Sequence, residues 1–190
     1  MDYPARSSQR ECSARAVNAV LKAAHFAAQK HGGQRRKGAA AEPYVNHLLE
    51  VAELVSSAQS EPDTNLVIAA LLHDVIEDAG VTKEEVVQAF GPDVADLVVE
   101  VTDDKSLRKA ERKRLQIVNA AKISVRAQVI KLADKISNLR SILSTPPADW
   151  GVERKREYFE WAKRVVDGLT VPNKILKTEF ERLYRKADML

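Results

Sequence analysis

The stretch LLHDVIEDAG, Leu71–Gly80, places one imidazole and three carboxyl groups inside an otherwise apolar run. At helical spacing His73 and Glu77 lie one turn apart, and so do Asp74 and Asp78, so the four polar groups share one face. The other positions are apolar nearly all round, which predicts a buried helix. Buried charges are costly unless they are paired. The stretch therefore predicts a metal site in a helical core. The alternative is a helix rim whose acids pair with lysine or arginine.

Apolar residues recur at helical spacing along almost the whole chain, and no alternation typical of β-strands persists. We expect a single all-α domain, a bundle of about 8–10 helices over residues 13–190, with residues 1–12 disordered. Ser13 is the expected N-cap of the first helix. The other helix signals are an N-cap at Asp63 or Thr64, an N-cap at Ser124, a capping box in TKEE, Thr82–Glu85, and a first-turn proline at Pro92.

Composition restricts the class of protein. Of the 190 residues, 45% are hydrophobic and 30% charged, as is ordinary for a globular domain. A single cysteine, Cys12, excludes an intramolecular disulfide framework and suits a reducing compartment. No apolar run has the length of a membrane span, and the first dozen residues lack the apolar core of a signal peptide. We therefore expect a cytoplasmic protein with no membrane partner, and we leave its oligomeric state open.

A second carboxylate lies in an apolar context in VIKLADKISNLR, residues 129–140. Asp134 is flanked by valine, isoleucine and leucine, and Asn138 follows one helical turn later on the same face. Taken alone, Asp134 could pair with Lys131 or Lys135. Taken with the lone upstream histidine of YVNHLLEV, His47, and with the His-Asp pair of the opening stretch, it completes a pattern of H…HD…D.

That pattern resembles the signature of the HD-domain phosphohydrolases, which are all-helical metalloenzymes. Over residues 20–185 the resemblance narrows to the hydrolase domain of RelA/SpoT proteins, most of all to the stand-alone small alarmone hydrolases and the metazoan SpoT homologue. The segments that carry it are AAHFAAQKHGGQRRKG, PYVNH, AALLHDVIEDAG, FGPDVADLVVEVTDDKSL, ERKRLQ, VIKLADKISNLR and EYFEWAKRVVDGL.

The resemblance implies a reaction: removal of the 3′-pyrophosphate of ppGpp or pppGpp by a metal-activated water, usually with manganese, leaving GDP or GTP. It implies four metal ligands, which are His47, His73, Asp74 and Asp134. Imidazole and carboxylate without thiolate suit Mn²⁺, Fe²⁺, Co²⁺ or Zn²⁺.

The ED pair of the opening stretch, Glu77 and Asp78, matches the family's catalytic acids. A carboxylate one helical turn from the metal ligands can take a proton from the attacking water and return one to the leaving 3′-oxygen. We assign this general acid–base role to the two residues jointly. The alternative is that both are acids on the helix surface.

Basic and aromatic residues complete the expected site. In the family, the residues matching Arg36 and Lys37 of QRRKG hold the guanine end, with the arginine stacked on the base, whereas the alternative is a solvated basic loop. In KSLRKAERKRLQ we expect Lys109 and Arg112, with Lys105 as a further candidate, to bind the pyrophosphates, and the other cations to be solvated. The remaining candidates for substrate contact are Tyr44, Asn138 and Tyr158. For Tyr44 the alternative is a structural role in the loop.

Two features of the chain depart from many relatives. Leu48 follows the ligand histidine where proline is common, and the loop RRKGAAAEPY is rich in alanine, which leaves base preference open. The alternatives are therefore the same chemistry on adenosine alarmones such as ppApp or on the 2′-phosphate of NADPH, or a non-catalytic alarmone sensor. Nucleic-acid binding is disfavoured, because the net charge is only +3 and the basic cluster is short and lacks interleaved aromatics.

Overall fold

The structure, a computed structural model, describes residues 4–61 and 63–190, with side chains from Ser13 onward. These residues form ten α-helices and a short terminal 3-10 helix, and their only β-pairing is an isolated bridge between Arg35 and Pro43. The all-α expectation is confirmed. The helices are α1 Pro4–Lys30, α2 Val45–Ser57, α3 Thr64–Leu72, α4 Val75–Ala79, α5 Lys83–Phe90, α6 Pro92–Val101, α7 Lys109–Asn119, α8 Val125–Ser144, α9 Val152–Asp167 and α10 Lys174–Tyr184; the 3-10 helix is Arg185–Met189.

Local capping signals set most helix starts where the sequence predicts them. The Asp63 carboxylate accepts a hydrogen bond from the backbone N–H of Leu66 at the start of α3. Thr82 and Glu85 form a reciprocal capping box at α5. The hydroxyl of Ser124 caps α8, and Pro92 opens α6, so these expectations are confirmed.

The start of the first helix is the exception. α1 begins at Pro4, so the expected N-cap at Ser13 is wrong. The segment before Ser13 contains no glycine and many helix-favouring residues, and proline is well tolerated in a first helical turn. Disorder of residues 1–12 stays a prediction, part of which lies outside the described residues.

The long helix α8 is the centre of the bundle. It packs against α2, α3, α6, α9 and α10. Leu132, Ile136 and Leu139 are fully buried along it, and burying each such side chain contributes about 1.5–3 kcal/mol. Because α8 also carries Asp134, the packing of the core fixes the position of this carboxylate.

The helix predicted across the opening stretch is interrupted. α3 ends at Leu72 and α4 begins at Val75, so one continuous helix through His73 and Asp74 is a wrong expectation. At the break, Asp74 stays right-handed, but its φ of −106° and ψ of 0° depart from the ideal helix values of about −63° and −42°. The hydrogen bond from Asp78 N–H to Asp74 C=O survives at 2.8 Å, and Gly80, with φ of +68°, ends α4 where predicted. None of the described helices has the length and hydropathy that a membrane crossing requires.

Candidate metal centre and substrate cavity

Three of the four predicted ligands converge at the centre of the bundle. His47 lies in α2, His73 at the end of α3, and Asp134 in α8. One ligand atom from each residue lies within 4.8 Å of the other two. Both histidines are almost fully buried, with 3% and 4% of their surfaces exposed. Residues distant in sequence thus form one compact group of nitrogen and oxygen donors.

The fourth predicted ligand, Asp74, lies beside this group. Its Oδ2 is 3.0 Å from His73 Nε2 and 3.7 Å from His47 Nε2. The hydroxyl of Tyr44 donates to the same oxygen at 2.6 Å, which supports the structural role considered for this tyrosine. Burial, and then the Asp74 charge, raise the pKa of Tyr44 far above its ordinary value, so the phenol stays a donor. Coordination by Asp74 remains a prediction.

The two imidazole rings have the orientation that metal ligands need. His73 Nδ1 lies 2.8 Å from the backbone carbonyl of Ala70, and a carbonyl only accepts, so Nδ1 donates. His73 Nε2 is buried and has no aligned hydrogen-bond partner. His47 Nδ1 lies 2.8 Å from Ser137 Oγ, which leaves its Nε2 facing Asp134. This donor set fits a borderline divalent cation such as Mn²⁺, Fe²⁺, Co²⁺ or Zn²⁺.

Pairing balances the charges of the centre. Burial opposes ionisation of Asp134, but Lys135, 2.8 Å away, and the two histidines together outweigh burial and hold the pKa of Asp134 well below its usual range. Burial opposes protonation of His73, but the Asp74 carboxylate raises its pKa to about 9. In contrast, burial lowers the pKa of His47. A metal ion that binds here must therefore displace a proton from His73.

The predicted catalytic pair lies on α4, at the edge of this centre. Glu77 accepts hydrogen bonds from the backbone N–H of Asp103 at 3.1 Å and from Arg112 at 3.3 Å. Asp78 forms an ion pair with Lys105. Burial, and then neighbouring carboxylates, raise the pKa of Glu77 above its ordinary 4.5. Both acids thus have the basic partners of the alternative interpretation, but they also line the same cavity as His73, Asp74 and Asp134.

A cavity of about 500 Å³ opens over the metal centre. Its wall includes His73, Asp74, Glu77, Asp78 and Asp134. The structure also brings every predicted substrate-binding residue to this wall: Arg36, Lys37, Tyr44, Lys109, Arg112, Asn138 and Tyr158. A volume of this size suits a nucleotide-sized ligand. The roles assigned to these residues remain predictions.

The loop between α1 and α2 holds the predicted purine-end residues against the rest of the cavity. The Arg36 guanidinium donates to Asn138 Oδ1 at 2.9 Å and lies 5.8 Å from the centre of the Tyr44 ring. Asn138 in turn donates to Asp134 Oδ1 at 2.6 Å. Asn138 therefore connects the predicted base-stacking arginine to a predicted metal ligand.

The backbone of the same loop lies close to the segment that follows α8, at Gly38 and Ala39. The N–H of Ala39 donates to the carbonyl of Pro146 at 3.2 Å. A Cβ added to Gly38 would lie 2.2 Å from the carbonyl oxygen of Thr145, so only glycine fits at this position. The contact fixes the position of Lys37 and, one residue earlier, of Arg36.

Two lysines of the cavity wall, Lys113 and Lys131, and the neighbouring Lys135 are not among the predicted site residues. Lys113, expected to be solvated, instead lies 4.8 Å from the centre of the Trp161 ring, and burial lowers its pKa. Lys131 donates to the carbonyl of Val101, and Lys135 pairs with Asp134. The position of Lys113 depends on the packing of α7 against α9. No spacing within the basic segment indicates that packing.

Comparison with known proteins identifies the family. The profile of the HD domain matches residues 23–159. A guanosine-3′,5′-bis(diphosphate) 3′-pyrophosphohydrolase MESH1 of Drosophila melanogaster is 50% identical over 165 residues, which are 87% of this chain and 92% of that protein. The chain belongs to the MESH1 family of HD-domain proteins.

Further MESH1 relatives and solved structures agree with this assignment. The human MESH1 pyrophosphohydrolase is 46% identical over 170 residues, which cover 90% of this chain and 95% of that protein. A solved structure, described as a metazoan orthologue of SpoT that hydrolyses ppGpp, has a TM-score of 0.86 and 48% identity over 90% of this chain and 97% of that one. A protein of Listeria monocytogenes EGD-e has a TM-score of 0.63 and 28% identity, covering 77% of this chain and 98% of that one. The family predicted from the motifs is confirmed.

Proposed function

We propose that this protein is a metal-dependent 3′-pyrophosphohydrolase of ppGpp and pppGpp that uses Mn²⁺ and releases pyrophosphate with GDP or GTP. One observation carries the proposal: metal-ligand donors, a pair of carboxylates and a basic wall meet in a single cavity. The printed activities of the MESH1 relatives support the choice of substrate. The single cysteine suits the cytoplasm as the working compartment.

Glu77 is the better placed of the two acids to move protons. A divalent metal bound by His47, His73 and Asp134, with Asp74 beside it, would supply an activated water and polarise the phosphoryl oxygens. Glu77 takes the proton of the attacking water and returns a proton to the leaving 3′-oxygen. Its raised pKa suits this shuttle, because a base is most effective when its pKa approaches the working pH. Asp78 lies beside it on α4, paired with Lys105.

The basic wall neutralises the substrate. Lys109 and Arg112 face the cavity on α7, where pyrophosphate oxygens accept their hydrogen bonds. Arg112 now donates to Glu77 at 3.3 Å, so pyrophosphate binding draws it away and leaves the carboxylate free to accept a proton. At the other end, the Arg36 plane stacks on the purine, and Asn138 keeps the guanidinium in place.

Manganese is the metal we propose. The donors are two imidazole nitrogens and carboxylate oxygens without a thiolate, and this mixture suits Mn²⁺. Held by these residues, Mn²⁺ would supply a Lewis acid and an activated water.

The proposal is tested with protein stripped of metal and reconstituted with Mn²⁺, Zn²⁺ or Mg²⁺. We expect pyrophosphate and GDP in equal amounts from ppGpp, with the highest rate in Mn²⁺. Parallel assays with ppApp and NADPH compare kcat/KM for the three substrates. Turnover of ppApp or NADPH alone, or tight ppGpp binding without turnover under all three metals, contradicts the proposal.

A variant pair tests the role of Glu77. Glu77→Gln keeps the size and hydrogen-bonding shape of the side chain but cannot take a proton, so we expect kcat to fall by about 10²–10⁴-fold. Glu84→Gln is the matched control, because Glu84 lies exposed in the first turn of α5. Retention of wild-type kcat in Glu77→Gln would rule out the shuttle.

A further inference from the structure

A chain of hydrogen-bonded side chains, running from the buried ligand His47 to the partly exposed Glu50, supports His47 on the side away from the metal centre. His47 Nδ1 lies 2.8 Å from Ser137 Oγ, and Ser137 Oγ donates to Glu50 Oε2 at 2.6 Å. Ser137 is 1% exposed and lies in α8, whereas His47 and Glu50 lie in α2. The contact between these two helices therefore includes a hydrogen-bonded relay that ends on a metal ligand.

The direction of the relay follows from its end group. Arg140 donates to Glu50 Oε1 at 2.9 Å, and a carboxylate paired with a guanidinium offers only acceptor oxygens to Ser137. The hydroxyl proton of Ser137 must therefore point at Glu50. Ser137 Oγ then has only lone pairs to offer His47, so the relay places a ring proton on Nδ1. The Asp134 carboxylate competes for that proton at Nε2, and a metal ion bound at Nε2 would remove this competition. Nε2 faces the metal centre, 3.3 Å from Asp134 Oδ1.

We propose that Glu50 and Ser137 are positioning residues that fix the tautomer and orientation of His47 as a metal ligand. The hydrogen bond from Nδ1 to Ser137 Oγ, which itself donates to the Glu50 carboxylate, also makes Nε2 a stronger electron-pair donor to a metal ion. The inference rests on the metal centre of the proposed function and is independent of the substrate.

The base of the relay is itself anchored. Arg140 donates from two guanidinium nitrogens to Glu179 on α10, at 3.2 Å and 2.7 Å. The ionic contact holds the guanidinium in the orientation that Glu50 needs. The last α-helix of the fold therefore contributes to the alignment of a ligand on α2.

The other ligand histidine has a different support. His73 Nδ1 donates to the backbone carbonyl of Ala70, a group that no side-chain substitution removes. Disrupting the Glu50–Ser137 relay therefore loosens one ligand and leaves the others in place. We expect weaker metal binding, by about 10–100-fold, rather than loss of binding.

The experiment measures the tautomer and the metal affinity of the full chain. Long-range ¹H–¹⁵N spectra of metal-free protein labelled with ¹⁵N-histidine contain signals from only four histidines, and His47→Gln assigns one of them. Titration with Mn²⁺ gives the dissociation constant. The relay variants are Ser137→Ala and Glu50→Gln. The matched controls are Ser144→Ala, an exposed serine of α8, and Glu53→Gln, an exposed acid of α2.

We expect wild-type His47 to be protonated at Nδ1, and both relay variants to lose this uniform state and to bind Mn²⁺ about 10–100-fold more weakly. Ser137→Thr keeps the hydroxyl and is expected to bind more tightly than Ser137→Ala, whereas the controls match wild type. A wild-type His47 protonated at Nε2, or relay variants that bind Mn²⁺ within twofold of wild type, would overturn the inference.

Thermal unfolding of the metal-free variants separates weaker binding from misfolding. If Ser137→Ala does not fold, Glu50→Gln decides, because its side chain keeps the size of the original. No readout uses a nucleotide. If the protein does not hydrolyse ppGpp, the tautomer and Mn²⁺ affinities still test the positioning role of Glu50 and Ser137. If that role is wrong, the proposed hydrolase activity is unaffected.

Discussion

Gly38 gives a sharp test of how the cavity is built. In Gly38→Ala the new Cβ would lie 2.2 Å from the carbonyl oxygen of Thr145, whereas ordinary contacts of this kind are 3.4–4 Å. The loop must therefore move away from Thr145 by about 1 Å, and Lys37 and Arg36 move with it. A displacement of about 1 Å in a positioning group can cost about 100-fold in rate. We expect kcat/KM for ppGpp to fall by about 10–100-fold, mainly through KM, because in the proposed function these cations bind the nucleotide away from the reacting bond.

The assay is steady-state release of pyrophosphate with Mn²⁺, together with a melting curve for each variant. Gly33→Ala is the matched control: the same substitution between α1 and α2, at a position where the added Cβ meets no atom within 4 Å. The reasoning is refuted if Gly38→Ala keeps kcat/KM within threefold of wild type, or if Gly33→Ala loses as much. A fall confined to kcat at constant KM would also refute it.

Three further predictions test other parts of the structure. Burial, and then the Asp103 charge, hold the pKa of Glu77 above 4.5. Asp103→Asn removes that charge, so we expect the acidic limb of the pH profile of kcat/KM to move to lower pH. A limb that stays in place argues against Glu77 as the base. The pKa of Glu179 is lowered to about 2 by hydrogen bonds from two arginines, so its contribution to stability is present above pH 4.5 and lost toward pH 2. Glu179→Gln should flatten the change in melting temperature across that window, and an unchanged slope would contradict this. Trp161→Phe removes the 3.0 Å hydrogen bond that the Trp161 indole N–H donates to the Lys113 carbonyl. We expect the free energy of unfolding, measured by urea titration, to fall by about 1–2 kcal/mol. No measurable change would exclude this contribution.

Features that depend on local chemistry could be predicted from the sequence. Asp63, Thr82 and Ser124 cap their helices because each reaches a backbone N–H two or three residues away. Buried carboxylates and imidazoles among apolar neighbours also mark a site without any knowledge of the packing. His73 and Asp134 were found in this way.

Features that depend on contacts between distant segments could not be predicted. The break at Asp74 has no sequence signal, since no glycine or proline is present there. The sequence predicts a solvated Lys113, because the helix that packs against α7 is α9, which carries Trp161 and lies far along the chain. The support of His47 by Ser137 joins two helices and appears only when both are placed.

The charge arrangement of the cavity explains how an acidic pair and an anionic substrate share one wall. Glu77 and Asp78 each contact a cation of the segment between α6 and the first turns of α7. Arg112 and Lys105 thus pair with the acids, and under the proposed function the same side chains would bind the pyrophosphate when the cavity holds the nucleotide. An exchange of partners of this kind keeps buried charges paired in both states, which limits the cost of burying them.

The most direct test of the central claim is a ³¹P NMR spectrum of the reaction of Mn²⁺-reconstituted protein with ppGpp. We expect the 3′-diphosphate signals to disappear while pyrophosphate and GDP appear in equal amounts, and we expect neither product from the metal-stripped protein. Release of orthophosphate in place of pyrophosphate, or product formation at the same rate with and without metal, would contradict the account.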